Sequence, residues 1–264
     1  MSRMVVDEGG RRLKELWRSG AATAGMWLRL TDWTIADMVA PLGFDFIICD
    51  AEHVAFDVET LQGICMALRG SPTVPLVRVP SGDPARIKVM LDLGMAGVVV
   101  PQIRSVEQAR DAVAACKYPP RGCRGFGPRR PGRYGAADRE YLRVADELTV
   151  VLLMVETGEA VSAIADILSV PDLDGVLLGP ADLAVSMGCQ GDPSQPPVRD
   201  ALQRVAERAR AARVPFGDGR ALADPRDLLA IGGQILLVGD DERFIREGAE
   251  AQLARYRDGL APGR

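Results

Sequence analysis

The chain of 264 residues has 47% hydrophobic and 26% charged residues, a composition typical of globular proteins. Its 32 Lys and Arg residues stand against 36 Asp and Glu residues, a net charge of −4, and 5% of the residues are aromatic. Neither a basic surface nor a set of stacking rings for nucleic acid is therefore expected. No apolar run approaches the roughly 18 residues of a transmembrane helix, so we expect no membrane partner either.

Cysteine usage indicates a reducing compartment. Cys49, Cys65, Cys116, Cys123 and Cys189 are odd in number and scattered, and none forms a Cys-x-x-Cys pair. This pattern argues against a disulfide framework or a zinc site. The first residues also lack the apolar segment of a secretory signal. We expect a cytoplasmic protein.

Short apolar segments alternate with amphipathic segments along the chain. A basic amphipathic helix over 10–20 comes first. Strands are then predicted at 25–30, 45–49, 75–79, 97–101, 149–155, 174–178, 214–217 and 234–238. Helices are predicted at 57–68, 85–93, 106–116, 158–168, 197–212, 225–231 and 242–260.

Eight strands alternating with helices predict parallel pairing with right-handed crossovers. About 250 residues is the usual length of one closed (β/α)8 barrel, so we expect a single TIM-barrel domain over 1–264. No Gly-x-Gly-x-x-Gly follows the first strand, and no Gly-x-x-x-x-Gly-Lys-Ser/Thr occurs. A dinucleotide-binding or P-loop fold therefore has little support.

One connection, 117–135, is longer than the others and carries five arginines among glycines and prolines. Long loops in compact domains are often functional, and the βα loops of a barrel bind substrates. The loop is therefore either a cationic rim over an anionic substrate or a solvated mobile segment. Both interpretations stay open from the sequence.

Two predicted strands carry ionisable groups at or near their ends. The second strand is followed by Asp50-Ala51-Glu52-His53, and His53 is the only histidine in the chain. The third contains Arg78 between apolar residues, where a guanidinium is costly to bury without an anion, and we expect only a substrate to supply that anion. In a barrel, active sites form at the carboxyl ends of the strands. The alternative is an ordinary polar strand end with a satisfied histidine.

Glu156 and Asp182 follow the fifth and sixth predicted strands. Parallel neighbours lie about 4.8 Å apart, so the two carboxylates can converge. A divalent cation would relieve their repulsion, and oxygen ligands favour Mg²⁺ or Mn²⁺ over zinc. The alternative is that each caps the following helix. Gly179-Pro180-Ala181-Asp182, which opens a helix, also offers free backbone N–H groups to a small carboxylate.

The chain resembles the hydroxy-oxo-heptanedioate aldolases, metal-dependent (class II) pyruvate aldolases of the phosphoenolpyruvate/pyruvate barrel superfamily. The resemblance covers nearly the whole chain and rests on several motifs taken together and in order. These motifs are Gly25-Met26-Trp27-Leu28, Gly43-Phe44-Asp45-Phe46, Asp50-Ala51-Glu52-His53, Val77-Arg78-Val79-Pro80, Asp83-Pro84-Ala85-Arg86-Ile87-Lys88, Leu91-Asp92-Leu93-Gly94, Tyr118-Pro119-Pro120-Arg121-Gly122, Arg124-Gly125, Glu156-Thr157 and Gly179-Pro180-Ala181-Asp182-Leu183.

The resemblance implies a role for each matching residue. Glu156 and Asp182 match the metal ligands (Mg²⁺ or Mn²⁺, with Co²⁺ as a further candidate), and Arg78 matches the arginine on the pyruvate oxygens. His53 matches the general base. Asp50 and Asp92 match aspartates near that histidine, with Asp92 acting across a subunit contact. The backbone at Gly179, Pro180, Ala181 and Asp182 matches the segment that holds the pyruvate carboxylate.

The implied reaction is cleavage of a 4-hydroxy-2-oxo acid to pyruvate and an aldehyde through an enolate that the metal and Arg78 stabilise. No lysine stands at a predicted strand end for a Schiff base. The resemblance also implies a homo-oligomer, a trimer or hexamer, in which the helix at 242–260 packs on a neighbour. Two alternatives stay open: a decarboxylase or carbon–carbon bond-forming biosynthetic enzyme using the same enolate, and a barrel that binds a 2-oxo acid without turnover.

The chain departs from the family pattern at three places. Met154 stands where many members carry Gln, and Ala51 replaces Gly in the Asp-Gly-Glu-His form. The segment with Arg129, Arg130 and Arg133 is more basic than the family pattern. A thioether is a poor ligand for a hard cation, so we expect Met154 to form an apolar wall. We expect the three arginines to recognise an anionic tail of the acceptor.

Overall fold

Eight parallel strands pair in chain order and close into a barrel, because the last strand returns to pair with the first. This arrangement comes from a computed structural model, which describes residues 8–221 and 224–260. The strands are β1 (Thr23–Leu28), β2 (Phe46–Asp50), β3 (Val74–Arg78), β4 (Gly97–Val100), β5 (Val150–Val155), β6 (Gly175–Leu178), β7 (Phe216–Ala221) and β8 (Ile235–Asp240). The predicted (β/α)8 barrel is confirmed.

Helices follow the strands and cover the barrel. They are α1 (Gly9–Arg18), α2 (Trp33–Val39), α3 (Val58–Ala67), α4 (Pro84–Leu93), α5 (Val106–Cys116), α6 (Asp138–Leu148), α7 (Gly158–Ser162), α8 (Ile164–Leu168), α9 (Pro180–Ser186), α10 (Pro196–Ala212), α11 (Arg226–Ala230) and α12 (Asp241–Leu260). None of the helices in the described ranges has both the length and the apolar character that crossing a membrane requires.

The predicted helices are present, with two differences in the outer layer. The helix predicted over 158–168 is divided at Ala163 into α7 and α8. Helices α2 and α6 were not predicted. Helix α2 is only seven residues long and begins at Trp33-Thr34-Ile35, residues of modest helix propensity. Its start is stabilised instead by Asp32, which accepts a hydrogen bond from the Thr34 amide.

Alternate residues of each strand face opposite sides, and this alternation builds two cores. Phe46 and Ile48 of β2 pack with Leu76 of β3 and Leu152 of β5 inside the barrel. The intervening residues pack outward against the helices. Helix α1 closes the amino-terminal end of the barrel, where Trp17 meets Phe46 edge to face at 6.2 Å. The opposite end, where the strands finish, stays open for a site.

A buried lysine lies beneath the barrel on α1. Lys14 is 5% exposed; its Nζ is 3.2 Å from Asp174 Oδ1 and donates to the Thr149 carbonyl at 3.1 Å. The same carbonyl accepts a hydrogen bond from Lys117 Nζ at 3.0 Å. Burial disfavours the ammonium ion more than Asp174 favours it, and it lowers the pKa of Lys14 from 10.5 to about 8.

This shift predicts an alkaline dependence of stability. Between pH 8 and 10.5 the unfolded chain holds a proton on Lys14 that the folded chain has released. The contribution of Lys14 to the free energy of unfolding should therefore rise with pH across that window, by about 3 kcal/mol at most, and this gain should be absent below it.

The buried Cys49, Cys116 and Tyr118, whose pKa values burial raises, act in the opposite direction, so the contribution of Lys14 is measured as the difference between wild type and Lys14→Met in urea denaturation across the window. Lys117 still donates to the Thr149 carbonyl in that variant, and a difference that does not change with pH would contradict the assignment.

Candidate active site at the carboxyl ends of the strands

Strand alternation brings the predicted residues of three strands inside the barrel. Asp50 has the same parity as Phe46 and Ile48 on β2, so its side chain faces the interior. Arg78 is placed in the same way at the end of β3, and Asp50 and Arg78 are direct partners in the β2–β3 register. Glu156 directly follows β5, two residues after the inward-facing Met154. All three are nearly inaccessible to solvent.

Arg78 has anionic partners within the protein, contrary to the expectation that only substrate would supply one. Its Nε and Nη2 donate to the two oxygens of Asp50 at 2.9 and 2.6 Å. Its Nη1 lies 3.2 Å from Glu52 Oε2, and its Cζ is stacked 4.6 Å from the centre of the Trp27 ring. Burial alone would raise the pKa of Asp50, but the hydrogen bonds and charge of Arg78 outweigh it and lower that pKa. Arg78 is therefore held rigidly.

Glu156 does not cap the helix that follows it. The cap of α7 is Thr157, whose side chain accepts from the Ala160 amide. Glu156 Oε1 instead accepts from the backbone N and side-chain Nε2 of Gln102, at 2.6 and 3.2 Å. The alternative that Glu156 serves as a helix cap is therefore wrong. Gln102, which follows β4 with a φ of 56°, fixes this carboxylate.

The other face of Glu156 is directed toward Gly179. A Cβ on Gly179 would lie 2.8 Å from Glu156 Oε2 and 2.7 Å from Glu156 Cβ, so only glycine allows this approach. Burial and the negative charges of Glu52 and Asp182 raise the pKa of Glu156, although the Gln102 hydrogen bond opposes them. The pKa of Glu52 is raised by burial and by the charges of Asp50 and Asp182. Three carboxylates therefore share one region.

His53, Arg78 and Asp182 line one cavity of about 380 Å³ at this end of the barrel, whereas the buried Asp50 and Glu156 are not among its lining residues. Asp182 lies in the first turn of α9 and is exposed. His53 is also exposed, with its Nε2 3.7 Å from Glu52 Oε2, and its backbone amide donates to Asp50 Oδ1 at 3.3 Å. Met154 forms part of the wall and places its sulfur 3.7 Å from Arg78 Nη1. The cavity also includes Gly179, Pro180 and Ala181.

Asp92 is the one predicted site residue that does not lie at the carboxyl ends of the strands. It lies near the end of α4, and barrel helices run antiparallel to the strands, so it is at the opposite end of the chain's own barrel. Its Oδ1 accepts from Arg124 Nη2 at 2.7 Å, and burial raises its pKa despite that bond. Its predicted role across a subunit contact stays a prediction.

The arginine-rich loop is also at that opposite end. The backbone amides of Arg129 and Arg130 donate to the Asp92 carbonyl, and the Arg130 side chain packs beside Gly94. None of Arg129, Arg130 and Arg133 lines the cavity that holds Arg78. The expectation that this loop forms a rim over the site of its own chain is therefore wrong.

The structure adds residues at the site that the sequence did not single out. Gln102 directly follows the segment predicted as the fourth strand, at 97–101. Trp27 stacks on Arg78 and anchors itself by donating from Nε1 to the Gly219 carbonyl at 2.8 Å. Arg29, Arg220, Asp240 and Arg243 complete the cavity wall.

The donor set fits a hard divalent cation. No cluster of three or more His, Cys, Asp and Glu side chains arranged for a metal occurs within 8–221 and 224–260, so the metal prediction depends on the pair Glu156 and Asp182 alone. Glu52 Oε2 is buried nearby, and although Arg78 Nη1 lies 3.2 Å from it, neither Arg78 nor another described residue donates a hydrogen bond to it. Carboxylate oxygens with positions left for water and substrate are the ligands that Mg²⁺ and Mn²⁺ take. A cation would also relieve the repulsion that raises the pKa of Glu156.

Comparison with known proteins agrees with the motifs. The family model described as HpcH/HpaI aldolase/citrate lyase matches residues 23–245. A 4-hydroxy-2-oxo-heptane-1,7-dioate aldolase of Salmonella arizonae is 38% identical over 248 residues, which cover 92% of this chain and 93% of that protein.

Solved structures agree as well. A HpcH/HpaI aldolase/citrate lyase family protein from Burkholderia cenocepacia J2315 has a TM-score of 0.89 at 29% identity, covering 94% of this chain and 99% of the other. The citrate synthase SbnG has a TM-score of 0.84 at 28% identity, covering 95% and 99% respectively. The chain belongs to the HpcH/HpaI aldolase/citrate lyase family, which confirms the family and the class of enzyme predicted from its motifs.

Proposed function

We propose that the protein is a divalent-metal-dependent aldolase that cleaves or forms 4-hydroxy-2-oxo acids, with pyruvate and an aldehyde as the other reactants. The observation that carries the proposal is the close approach of Glu156 to Gly179. Gly179, Asp182 and the fixed guanidinium of Arg78 line the same cavity. The similarity to a 4-hydroxy-2-oxo-heptane-1,7-dioate aldolase supports the proposal.

Glu156 and Asp182 would hold the cation, Mg²⁺ or Mn²⁺ by their oxygen chemistry. When bound, it supplies Lewis-acid polarisation of the 2-oxo acid. The segment Gly179 to Asp182 lines the same cavity, and its backbone amides offer a place for the substrate carboxylate. Arg78, held by Asp50 and stacked on Trp27, places positive charge where the enolate develops, at no reorganisation cost during the reaction.

His53 would take the proton of the C4 hydroxyl when the C3–C4 bond breaks. Its exposed side chain lines the cavity, and the buried Asp50 accepts a hydrogen bond from its backbone amide. We propose that Asp50 positions both Arg78 and this turn, and that Asp92 of another subunit contributes near the histidine. The two aspartates would then serve one site from two chains.

An alternative within the same site is carbon–carbon bond formation in a biosynthetic direction, or decarboxylation. The similarity to a structure described as a citrate synthase supports the alternative of carbon–carbon bond formation. Both use an enolate that the same residues would stabilise. An aldolase and a decarboxylase can be distinguished by their products, because an aldolase releases an aldehyde and a decarboxylase releases carbon dioxide.

Assembly into a homo-oligomer, a trimer or a hexamer, also belongs to the proposal. Most of α12 is exposed along its length, including Ile245 at 56%, Leu253 at 50% and Tyr256 at 74%. Burial of these side chains against a neighbouring chain would remove that apolar surface from water. We further infer a cytoplasmic location, for which the scattered cysteines are the support.

The deciding experiment is release of pyruvate from a panel of 4-hydroxy-2-oxo acids, with and without EDTA. We expect release that EDTA abolishes and that Mg²⁺ or Mn²⁺ restores. Full activity after exhaustive chelation would reject metal dependence. Carbon dioxide release without an aldehyde would favour the decarboxylase instead.

A further inference from the structure

The two oxygens of Glu156 have different surroundings. Oε1 accepts two hydrogen bonds from Gln102, one from the backbone N at 2.6 Å and one from the side-chain Nε2 at 3.2 Å. Oε2 accepts none from the residues that the structure describes, and it lies beside Gly179, which lines the cavity. Because Oε1 is occupied by two donors, Oε2 is the oxygen that remains for a cation.

The backbone of Gln102 is in a conformation that does not favour glutamine. Its φ of 56° lies in the left-handed region, which glycine adopts without cost and other residues do not. Such residues persist where the surrounding structure holds them, and they are common at functional sites. Gln102 is exposed, so burial of its side chain does not explain why it occupies this position. The interaction that its side chain makes at the site is the hydrogen bond to Glu156.

The register of the barrel brings Gln102 to this carboxylate. Strands β4 and β5 pair in parallel, with Val100 opposite Leu153. Two residues further along each strand, Gln102 lies beside Val155, the residue before Glu156. The oxygen of the Gln102 amide is 3.5 Å from Arg104 Nη2, which fits an amide whose nitrogen points toward Glu156.

Met154 lies on the other side of the same carboxylate and offers it no donor. A Cβ on Gly179 would lie 3.4 Å from Met154 Cε and 2.8 Å from Glu156 Oε2, so both atoms border the same small space. A thioether carries no N–H group. Glutamine has nearly the same length as methionine and ends in an amide, so an amide at position 154 would reach the place that Cε now occupies.

We propose that the side-chain amide of Gln102 sets the affinity of the site for its divalent cation. It holds Oε1 of Glu156 and thereby keeps Oε2 directed into the cavity, a task for which Met154 has no suitable group. The inference rests on the proposed metal-dependent function and deepens it. Gln102 is a positioning residue, since it acts through Glu156. Groups that hydrogen-bond to a metal ligand commonly change metal affinity by about 10- to 100-fold.

The test measures Mn²⁺ binding without substrate, by titration with detection of free Mn²⁺ by electron paramagnetic resonance. Gln102→Met replaces the amide with an apolar side chain of similar length and should raise the dissociation constant about tenfold or more. Gln102→Gly should raise it as well. Because glycine relieves the left-handed backbone, this second variant should keep the stability of wild type in urea denaturation without metal. A merely structural role would not lower affinity at unchanged stability.

A double variant tests whether the amide can be supplied from the other side. Met154→Gln in the Gln102→Met background places an amide beside Oε2. We expect the Mn²⁺ dissociation constant to return to within about threefold of wild type, whereas losses at independent sites would add. Unchanged affinity in Gln102→Met, or no recovery in the double variant, would overturn the inference.

Gln203→Met is the matched control. Gln203 Nε2 donates to Glu207 Oε1 at 2.8 Å, the same kind of bond, on the surface of α10 and outside the lining of the cavity. Its loss should leave the Mn²⁺ dissociation constant within about twofold of wild type, as for surface substitutions generally.

Failure of the underlying function is seen separately. Wild-type protein that neither binds Mn²⁺ nor releases pyruvate with it would reject the metal-dependent aldolase, and the role of Gln102 with it. Wild-type protein that binds Mn²⁺ with an affinity equal to that of Gln102→Met would reject the role of Gln102 alone.

Discussion

Replacing Glu156 with glutamine is expected to lower aldol cleavage by about 10³-fold or more, since a cation bound at the reacting oxygens contributes several kcal/mol. An amide donates only a neutral oxygen and cannot balance the charge of the ion. Titration with Mn²⁺ should show weakened binding in parallel with the lost activity. Rates of pyruvate release and the Mn²⁺ dissociation constant are the two measurements.

This variant should keep its fold. The amide oxygen can still accept from the Gln102 amide, and removing one charge relieves the repulsion from Glu52 and Asp182. Its free energy of unfolding without metal should therefore equal or exceed that of wild type. Glu159→Gln is the control, since Glu159 is an exposed residue on α7 paired with Arg104. Unchanged Mn²⁺ affinity in Glu156→Gln would remove Glu156 from the metal site.

Replacing Arg78 with lysine is expected to lower kcat by about 10²- to 10³-fold, the range for loss of one preorganised donor to a developing oxyanion. Lysine keeps the charge but lacks the planar fork that meets Asp50 and Glu52 together and stacks on Trp27. Since the loss concerns the transition state, kcat should fall more than KM rises. Steady-state kinetics with one 4-hydroxy-2-oxo acid measures both.

A structural contribution of Arg78 must be separated from its chemical one, because lysine cannot donate to both oxygens of Asp50 as the guanidinium does, and a buried carboxylate oxygen without a hydrogen bond costs about 1–3 kcal/mol. Urea denaturation of Arg78→Lys measures this structural cost. We expect a loss of stability of that size, with the variant still folded under the assay conditions, so that the fall in kcat reports the chemical contribution. Activity of Arg78→Lys within about twofold of wild type would show instead that Arg78 is structural.

The sequence alone determined the barrel and the inner part of the site. Alternation with a period of two is local, and it places Asp50, Arg78 and Glu156 on the same side as the buried apolar residues of their strands. Parallel pairing in chain order then requires these strand ends to meet. The first conclusion needs only short stretches of sequence, and the second needs the alternation of eight strands with helices along the chain, so both could be predicted from the sequence.

The sequence did not predict Arg29, Arg220 and Asp240 as residues of the cavity, because apolar runs mark the buried part of a strand and not its end. Strand β7 was predicted over 214–217 and β8 over 234–238, whereas pairing with neighbours carries them to Ala221 and Asp240. Arg220 and Asp240 lie in those polar extensions. Strand β1 was predicted through residue 30 but ends at Leu28, which leaves Arg29 beyond the strand and facing the cavity.

Tertiary structure alone decided which charges are partners. Only a substrate was expected to supply an anion for Arg78. The β2–β3 register instead sets Arg78 opposite Asp50, 28 residues earlier in the chain. The arginine-rich loop was expected at the site, but it docks against the end of α4, and a helix returning antiparallel to the strands ends at the far side of the barrel. Composition shows only where arginines occur along the chain, whereas the direction of each element determines which of them line the cavity.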